Sequence, residues 1–404
     1  MTAIYNPLDP EHCRDPYPRY HALRTEDPVH WSDLVQGWVL TRHKDVAGVL
    51  RDQRFSVDRG KTDLLRQSQL PPLREEHKAL AESLKRVIIF LDPPDHTRIR
   101  RLISKAFTHK MIEKFRDSVQ LMVDEFLDAA AAQGHVDWIK DFAYPLPVTV
   151  IANILGIPAE HHATFKRWSD DLGALLDPFI SPPLFEKAMK SAAEMHAFFE
   201  EEFAKRRAEP RDDLISALVN VEEAGDKLSR QELFSTCVVL LGGGHLTTTN
   251  MLGNAVWALM EHPRERKQLG RDPGLIGPAV EEMIRYDCPL QATARVATED
   301  CEIGGRKVSK GNPIILLLGA ANRDPEQFEN PDGLVFSRKE NRHAAFGGGI
   351  HHCVGRNLAR LEIQIAINTL LRRFPDFKVT CEEPERKPTV VARGFVALPL
   401  SLHG

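Results

Sequence analysis

Phe346-Gly347-Gly348-Gly349-Ile350-His351-His352-Cys353-Val354-Gly355-Arg356 is the stretch that orders the rest of this chain. Three adjacent glycines let the backbone enter conformations barred to other residues and lie close against a flat ligand. A single cysteine ends the turn, and Val354 to Phe374 carries the spacing of an amphipathic helix. A thiol at a helix N-terminus is pushed toward the thiolate by the helix dipole and by unpaired backbone N–H donors. An anionic sulfur held by a tight, donor-rich loop is what an axial iron ligand requires, and Cys353 reads as that ligand.

Two plainer readings compete. Most lone cysteines are inert, so Cys353 by itself fits a buried structural thiol beside a glycine turn. A zinc site with His351 fails on number, because four ligands are needed and no second Cys/His pair stands at the usual spacing. Composition narrows the rest. A formal charge of -4 gives no general attraction to nucleic acid or anionic lipid. No apolar run reaches the roughly 18 residues of a membrane span, and Met1-Thr2-Ala3-Ile4-Tyr5-Asn6-Pro7 lacks a basic start with an apolar core. Cys13, Cys237, Cys288, Cys301, Cys353 and Cys381 show no framework spacing, which suits a reducing cytoplasm. The 27 prolines are spread out, and no linker, charge block or repeat offers a cut, so a single domain over residues 1–404 is expected.

Along the chain, Asp15-Pro16 opens a helix to about Glu26, Val29 to Trp31 and Gly37 to Leu40 form a hairpin, and His43 to Leu50 is helical. Residues 57 to 90 are irregular, which suits either a pocket-lining loop or plain surface. In Asp92-Pro93-Pro94-Asp95-His96-Thr97-Arg98-Ile99-Arg100 the prolines separate two elements, and His96 and Arg100 share one helical face. Two donors on one face suit a pair of carboxylates, although a solvated basic face looks the same. Met111 to Ala132 and Tyr144 to Leu155 are helical, the second stopped by Gly156-Ile157-Pro158. Helical patterns over 159 to 208 break at Asp177-Pro178 and at Ser181-Pro182-Pro183.

Ser229-Arg230-Gln231-Glu232 is a capping box, and a helical pattern runs from it to His262-Pro263. That is about 34 residues, or roughly 50 Å. Its middle breaks the propensity rules: each of Gly242, Gly243 and Gly244 costs about 1 kcal/mol relative to alanine. Thr247, Thr248 and Thr249 follow. Either two helices meet at a glycine turn, or one helix widens into a groove over a ligand with hydroxyls replacing lost backbone pairs. Beyond it, Glu282 and Arg285 form a same-face pair that alone means little. Pro289-Leu290-Gln291-Ala292-Thr293-Ala294-Arg295 leaves room beside a ligand, yet an ordinary core strand reads alike. Gly311 to Leu318 is a buried strand, and the irregular residues 321 to 343 lead straight to Cys353.

The loop around Cys353, with its Phe, Gly, Gly, His, Cys and Gly, closely resembles the haem-binding loop of the cytochrome P450 family. Three further motifs resemble that family's in order and spacing, and the likeness covers nearly all 404 residues. It implies a mainly α fold with a small β region (α+β), and a heme b between the long central helix and the helix after the Cys loop. It implies that His96, Arg100, Arg295 and His351 hold propionates. Phe346 would cover the thiolate face, and Gly355 would let the helix approach the porphyrin. Glu282, Arg285 and Arg338 would form a buried charge network on the cysteine side.

Gly243-Gly244-His245-Leu246-Thr247 aligns with the family's oxygen-binding Ala/Gly-Gly-x-Asp/Glu-Thr, which makes Thr247 the alcohol that hydrogen-bonds bound oxygen. The acid position holds Leu246; sliding by one residue puts His245 there but loses the glycine match. Breaking the O–O bond consumes two protons that leucine cannot relay, so they would pass through Thr247, Thr248, water or a substrate hydroxyl. A second departure is Arg356, where many relatives carry a small residue.

The implied activity is a monooxygenase inserting one oxygen atom of O2 into a lipophilic molecule by hydroxylation or epoxidation. A ferredoxin or flavodoxin with its NAD(P)H reductase would supply electrons, since no stretch is left for flavin or an iron–sulfur cluster. A monomer is expected. Ile88, Ile89, Leu240, Gly243, Thr247, Leu290, Ala292 and Phe395 are the pocket candidates, and their apolar character suits a terpenoid, steroid, fatty acid or polyketide. Peroxide-driven chemistry, or a haem-binding protein without turnover, are the rival readings.

Overall fold

Apolar residues recur at helical spacing through most of this chain and β-branched runs are short, so helices dominate and strands stay brief. The structure, a computed structural model, describes residues 5–402 apart from 8, 62–79, 81, 174–180, 224 and 390. The chain divides into two compact units. The first comprises the described parts of Met1–Asp63, Ser118–Tyr144 and Thr247–Gly404, the second those of Leu64–Asp117 and Pro145–Leu246.

In the first unit a sheet runs in the order Val29–Ser32, Gly37–Leu40, Pro313–Leu317, Ala292–Ala297, Phe55–Ser56. Its pairs are antiparallel except where Trp38, Val39 and Leu40 lie parallel to Ile314, Ile315 and Leu316. Side-chain alternation gives it two apolar faces. Leu40, Ile314 and Leu316 pack with Val46, Val49 and Leu50 of the helix His43–Arg51. Val39, Leu317 and Ala292 pack with Tyr17, Tyr20 and Leu23 of the helix Tyr17–Glu26. A smaller sheet joins His135–Asp137 to Pro399–Ser401 and Lys378–Val379.

The second unit is helical apart from the short pair Glu222–Glu223 and Asp226–Lys227. Phe165, Phe199, Phe203 and Phe234 form its aromatic centre. The fully buried Arg206 ties it together, donating to Glu202, Asp213 and the Gly156 carbonyl.

One uninterrupted α-helix, Arg230–Glu261, runs through both parts of the sequence, so the glycine-turn alternative falls. Its capping box closes both ways: Glu232 N–H donates to Ser229 Oγ at 3.3 Å, and Ser229 N–H to Glu232 Oε2 at 2.9 Å. Other boundaries shift. Pro16 takes the cap position, so the helix begins at Tyr17. The expected Met111 to Ala132 helix is two, His109–Glu113 and Arg116–Gln133, the first capped by Thr108. A π-helical turn, Trp138–Ala143, precedes Pro145–Leu155. Ser181 stands at the cap position of Pro182–Ala208 without a side-chain bond, whereas the expected break at Asp177-Pro178 and residues 62–79 and 81 of the irregular loop lie outside the described residues. Among the described residues no helix is long and apolar enough to cross a membrane.

Candidate functional site

The Cys353 loop is shaped by backbone constraints first. Gly347 and Gly349 hold φ of 70° and 63°, the left-handed region that favours glycine. A Cβ on Gly349 would also run into the carbonyl oxygen of Leu50, so the loop lies directly on the helix His43–Arg51. Cys353 N–H donates to Phe346 O at 2.9 Å and closes the turn. The side chain of Cys353 is half-buried, and no disulfide joins the six cysteines.

Phe346 is clamped beneath this turn. The Arg360 guanidinium stands 4.6 Å from its ring centroid, and the His343 ring 5.7 Å away. Arg360 is itself fixed by two bonds to Glu281, at 2.5 and 2.8 Å, and His343 Nε2 lies 3.3 Å from the same carboxylate. Burial alone would raise the Glu281 pKa, but Arg360 and His343 outweigh it and hold it down at about 2.

The following helix is Arg356–Arg373, two residues later than the spacing suggests. Its cap residue Gly355 offers no side-chain bond, and its first turn contains no acid. The dipole's positive end, with its N–H donors, therefore opens toward the Cys353 side of the loop without local neutralisation. Arg356 Nη1 donates to Cys353 O at 3.0 Å.

Which metal chemistry this donor set fits can be tested on the side chains. Among the described residues no group of three or more His, Cys, Asp or Glu converges on one point. Among the described residues Cys353 has no cluster of further donors of the kind a four-ligand zinc site needs. A single thiolate is a donor that a haem would accept, and Cys353 would be the residue that holds it. The residues fit the group.

Glu282 and Arg285 sit on the helix Ile276–Tyr286, both fully buried. Arg285 donates to both Glu282 oxygens, at 2.8 and 2.7 Å, and Arg338 reaches the same carboxylate at 3.1 Å. Asn341 Nδ2 and Val335 N–H complete its shell. Arg295 is buried on the strand Ala292–Ala297, and its Nη1 donates to Ala294 O at 2.8 Å. His351 lies in a single 3-10 turn, half-buried.

In the second unit, His96 and Arg100 share the helix Asp95–Ala106. His96 is 1% exposed; burial first, then the charge of Arg100, pushes its pKa down to about 4. Ile88 and Leu240 are buried, while Ile89 is 44% exposed.

The long helix is buried toward both ends but opens in its middle. Gly243 is exposed, Gly244, Leu246 and Thr247 are half-buried, and Thr248 is buried. A Cβ on Gly243 would meet nothing within 4 Å. His245 is buried and its Nδ1 lies 2.7 Å from Ser169 Oγ. Two residues along a helix is about 200°, so His245 faces away from Thr247.

Phe395 requires a correction. Arg393 is locked to buried Asp287 at 2.6 Å, and Gly394 is pressed against the Asn250 side chain. This turns Phe395 inward, 1% exposed, against Trp257 and under the Arg386 guanidinium at 3.7 Å. The residue brought beside Leu290 is instead Ala392, in an isolated antiparallel bridge, with Val391 O accepting from Gln291 N–H. Nothing in the sequence signals this pairing, because the two segments are far apart in the chain. Leu290 is half-buried and Ala292 buried.

With this geometry in place, a family model described as Cytochrome P450 matches residues 38–272 and 275–401. The Biotin biosynthesis cytochrome P450 of Bacillus subtilis (strain 168) is 38% identical over 405 residues, covering 100% of each chain. The Vitamin D(3) 25-hydroxylase of Pseudonocardia autotrophica is 36% identical over 396 residues, 96% of this chain and 94% of that one. Among solved structures, P450BioI in complex with hexadec-9Z-enoic acid ligated acyl carrier protein aligns with a TM-score of 0.89 and 37% identity. That alignment covers 97% of this chain and 99% of the other.

Proposed function

The chain belongs to the cytochrome P450 family, and from that premise we propose that Cys353 gives its thiolate to the haem iron and that a long, lipophilic acyl compound is oxidised. The enzyme is a haem-dependent monooxygenase. When bound, the haem supplies an electron-rich iron at which O2 is activated, so that one oxygen atom enters a C–H bond or an alkene. The observation that carries the ligand assignment is the lone half-buried sulfur ahead of an uncapped helix N-terminus, held by a loop only glycine can follow.

The other residues divide the work. His96, Arg100, Arg295 and His351 would hold the propionates as hydrogen-bond donors. Phe346, pinned by Arg360, would keep water from the sulfur. Glu282, Arg285 and Arg338 would fix the backbone ahead of the loop. Thr247 would hold a proton at its hydroxyl, with Thr248 behind it. Leu246 carries none, and His245 is engaged with Ser169, so protons would come through the threonines, water or a hydroxyl of the substrate. That gap also favours a second reading, in which hydrogen peroxide replaces O2 and external electrons.

Ile88, Ile89, Leu240, Gly243, Leu290 and Ala292 would line the substrate side, with Ala392 in place of Phe395. A Polyketide biosynthesis cytochrome P450 PksS at 36% identity and the acyl carrier complex above support an acyl or polyketide class, and the Vitamin D(3) 25-hydroxylase, at the same identity, makes a steroid-like class the competing outcome. A separate ferredoxin or flavodoxin with its reductase would bring electrons, and absence of a disulfide among the six cysteines supports a cytoplasmic setting.

The reduced protein under carbon monoxide should give the thiolate-haem absorption, and Cys353→Ala should abolish it. Long-chain fatty acids, free and carrier-bound, should shift the ferric spin state. An unchanged carbon monoxide spectrum in Cys353→Ala would overturn the ligand assignment, and steroids binding better than acyl chains would overturn the substrate class.

A further inference from the structure

Arg356 is placed against the local rules. It is the first residue of the helix Arg356–Arg373, where a cation opposes the dipole, and no acid in that turn offsets it. Arg360 beside the loop is paired with Glu281, and Arg338 shares Glu282 with Arg285. Among the described residues no carboxylate lies within ion-pair distance of Arg356, and its contact is the 3.0 Å bond to the carbonyl of Cys353. The residue is half-buried, so water screens its charge only in part. A position that violates helix preference and aims its side chain at a functional residue is where a local rule yields to function.

Resting on the assignment of Cys353 as the iron ligand, we propose that Arg356, held at the Cys353 carbonyl, makes the haem easier to reduce through its uncancelled charge. Reduction would add one electron, and so one negative charge, to the group that Cys353 would hold, and this guanidinium is bonded to the Cys353 carbonyl. The donor is the separate electron-transfer protein, or a chemical reductant in its place. With the cation gone, the equilibrium constant for reduction should fall about tenfold, which for a one-electron couple is about 59 mV.

The experiment is a mediator titration of the isolated holoenzyme, so that donor docking plays no part, on the wild type and on Arg356→Lys, Arg356→Gln and Arg356→Ala. The midpoint should fall by about 59 mV in the glutamine and alanine variants and stay near the wild type in the lysine variant. A wild-type midpoint in Arg356→Gln, which keeps a donor but no charge, would overturn the proposal. So would an equal fall in Arg356→Lys, because the contact rather than the charge would then be at work. The carbon monoxide spectrum of each protein is recorded alongside. Absence of the thiolate form in the wild type would sink the ligand assignment itself, separately from the role of Arg356.

Discussion

Glu282 shows what a single buried charge does in this protein. Its two oxygens receive Arg285, Arg338, Asn341 and the Val335 N–H, and Arg285 passes on to the carbonyls of Asn322, Pro331 and Gly333. One carboxylate thus holds a helix to the irregular chain that leads into the Cys353 loop. Truncation to alanine leaves two guanidinium groups without their counter-ion, Arg285 at 0% side-chain exposure and Arg338 at 9%. Glu282→Ala should therefore cost about 3–5 kcal/mol, read as a lower urea midpoint at neutral pH. A midpoint within about 1 kcal/mol of the wild type would mean that the network is relieved by water.

The long helix sets the chemistry at the scale of an element. It keeps its α-helical course through three glycines because burial toward both ends and a closed capping box hold it, and the open middle falls where Leu246 and Thr247 stand. Leu246→Glu returns a proton-carrying group to that face without disturbing a core contact, since Leu246 is half-buried. Product formed per NAD(P)H consumed should rise severalfold with substrates lacking a hydroxyl and change little with those that have one. No gain with any accepted substrate would show that the threonines already carry the protons. The ends of this helix were legible because its capping box and the closing proline are local signals, whereas its three glycines left one helix and two equally readable. What local signals miss is non-local pairing. The bridge of Leu290 to Ala392 and the strand His135–Asp137 against Pro399–Ser401 join segments hundreds or about a hundred residues apart, and Phe395 was misjudged with them. The π-helical turn at Trp138–Ala143 is likewise set from outside, by Trp138 Nε1–H donating to Leu252 O and Trp138 N–H to Leu398 O.

At the scale of the molecule, titration ties stability to the same residues. Glu281 is held at about 2 against an ordinary 4.5; burial raises it, and Arg360 and His343 more than reverse that. Asp287, fully buried, is held at about 2 against 3.8, where Arg393 and Arg386 overcome burial. Both folded-state values lie below the unfolded ones. Their contribution is therefore complete above pH 4.5 and is lost as pH falls to about 2. Glu362 runs the other way. It is 2% exposed on the helix that follows Cys353, its Oε2 has no hydrogen-bond partner among the described residues, and burial raises its pKa well above 4.5. Its protonated form favours folding, so that part of the stability is full below pH 4.5 and declines as pH rises through the raised value. Urea midpoints across the pH range should accordingly form a dome displaced toward acid. Glu281→Gln should flatten the acid limb. Glu362→Gln, which keeps the shape and removes the titration, should raise the midpoint at neutral pH and flatten the other limb. A Glu362→Gln protein no more stable than the wild type at neutral pH would mean that the carboxylate is paired in solution, and the helix behind the Cys353 loop would then owe nothing to a neutral acid at its core.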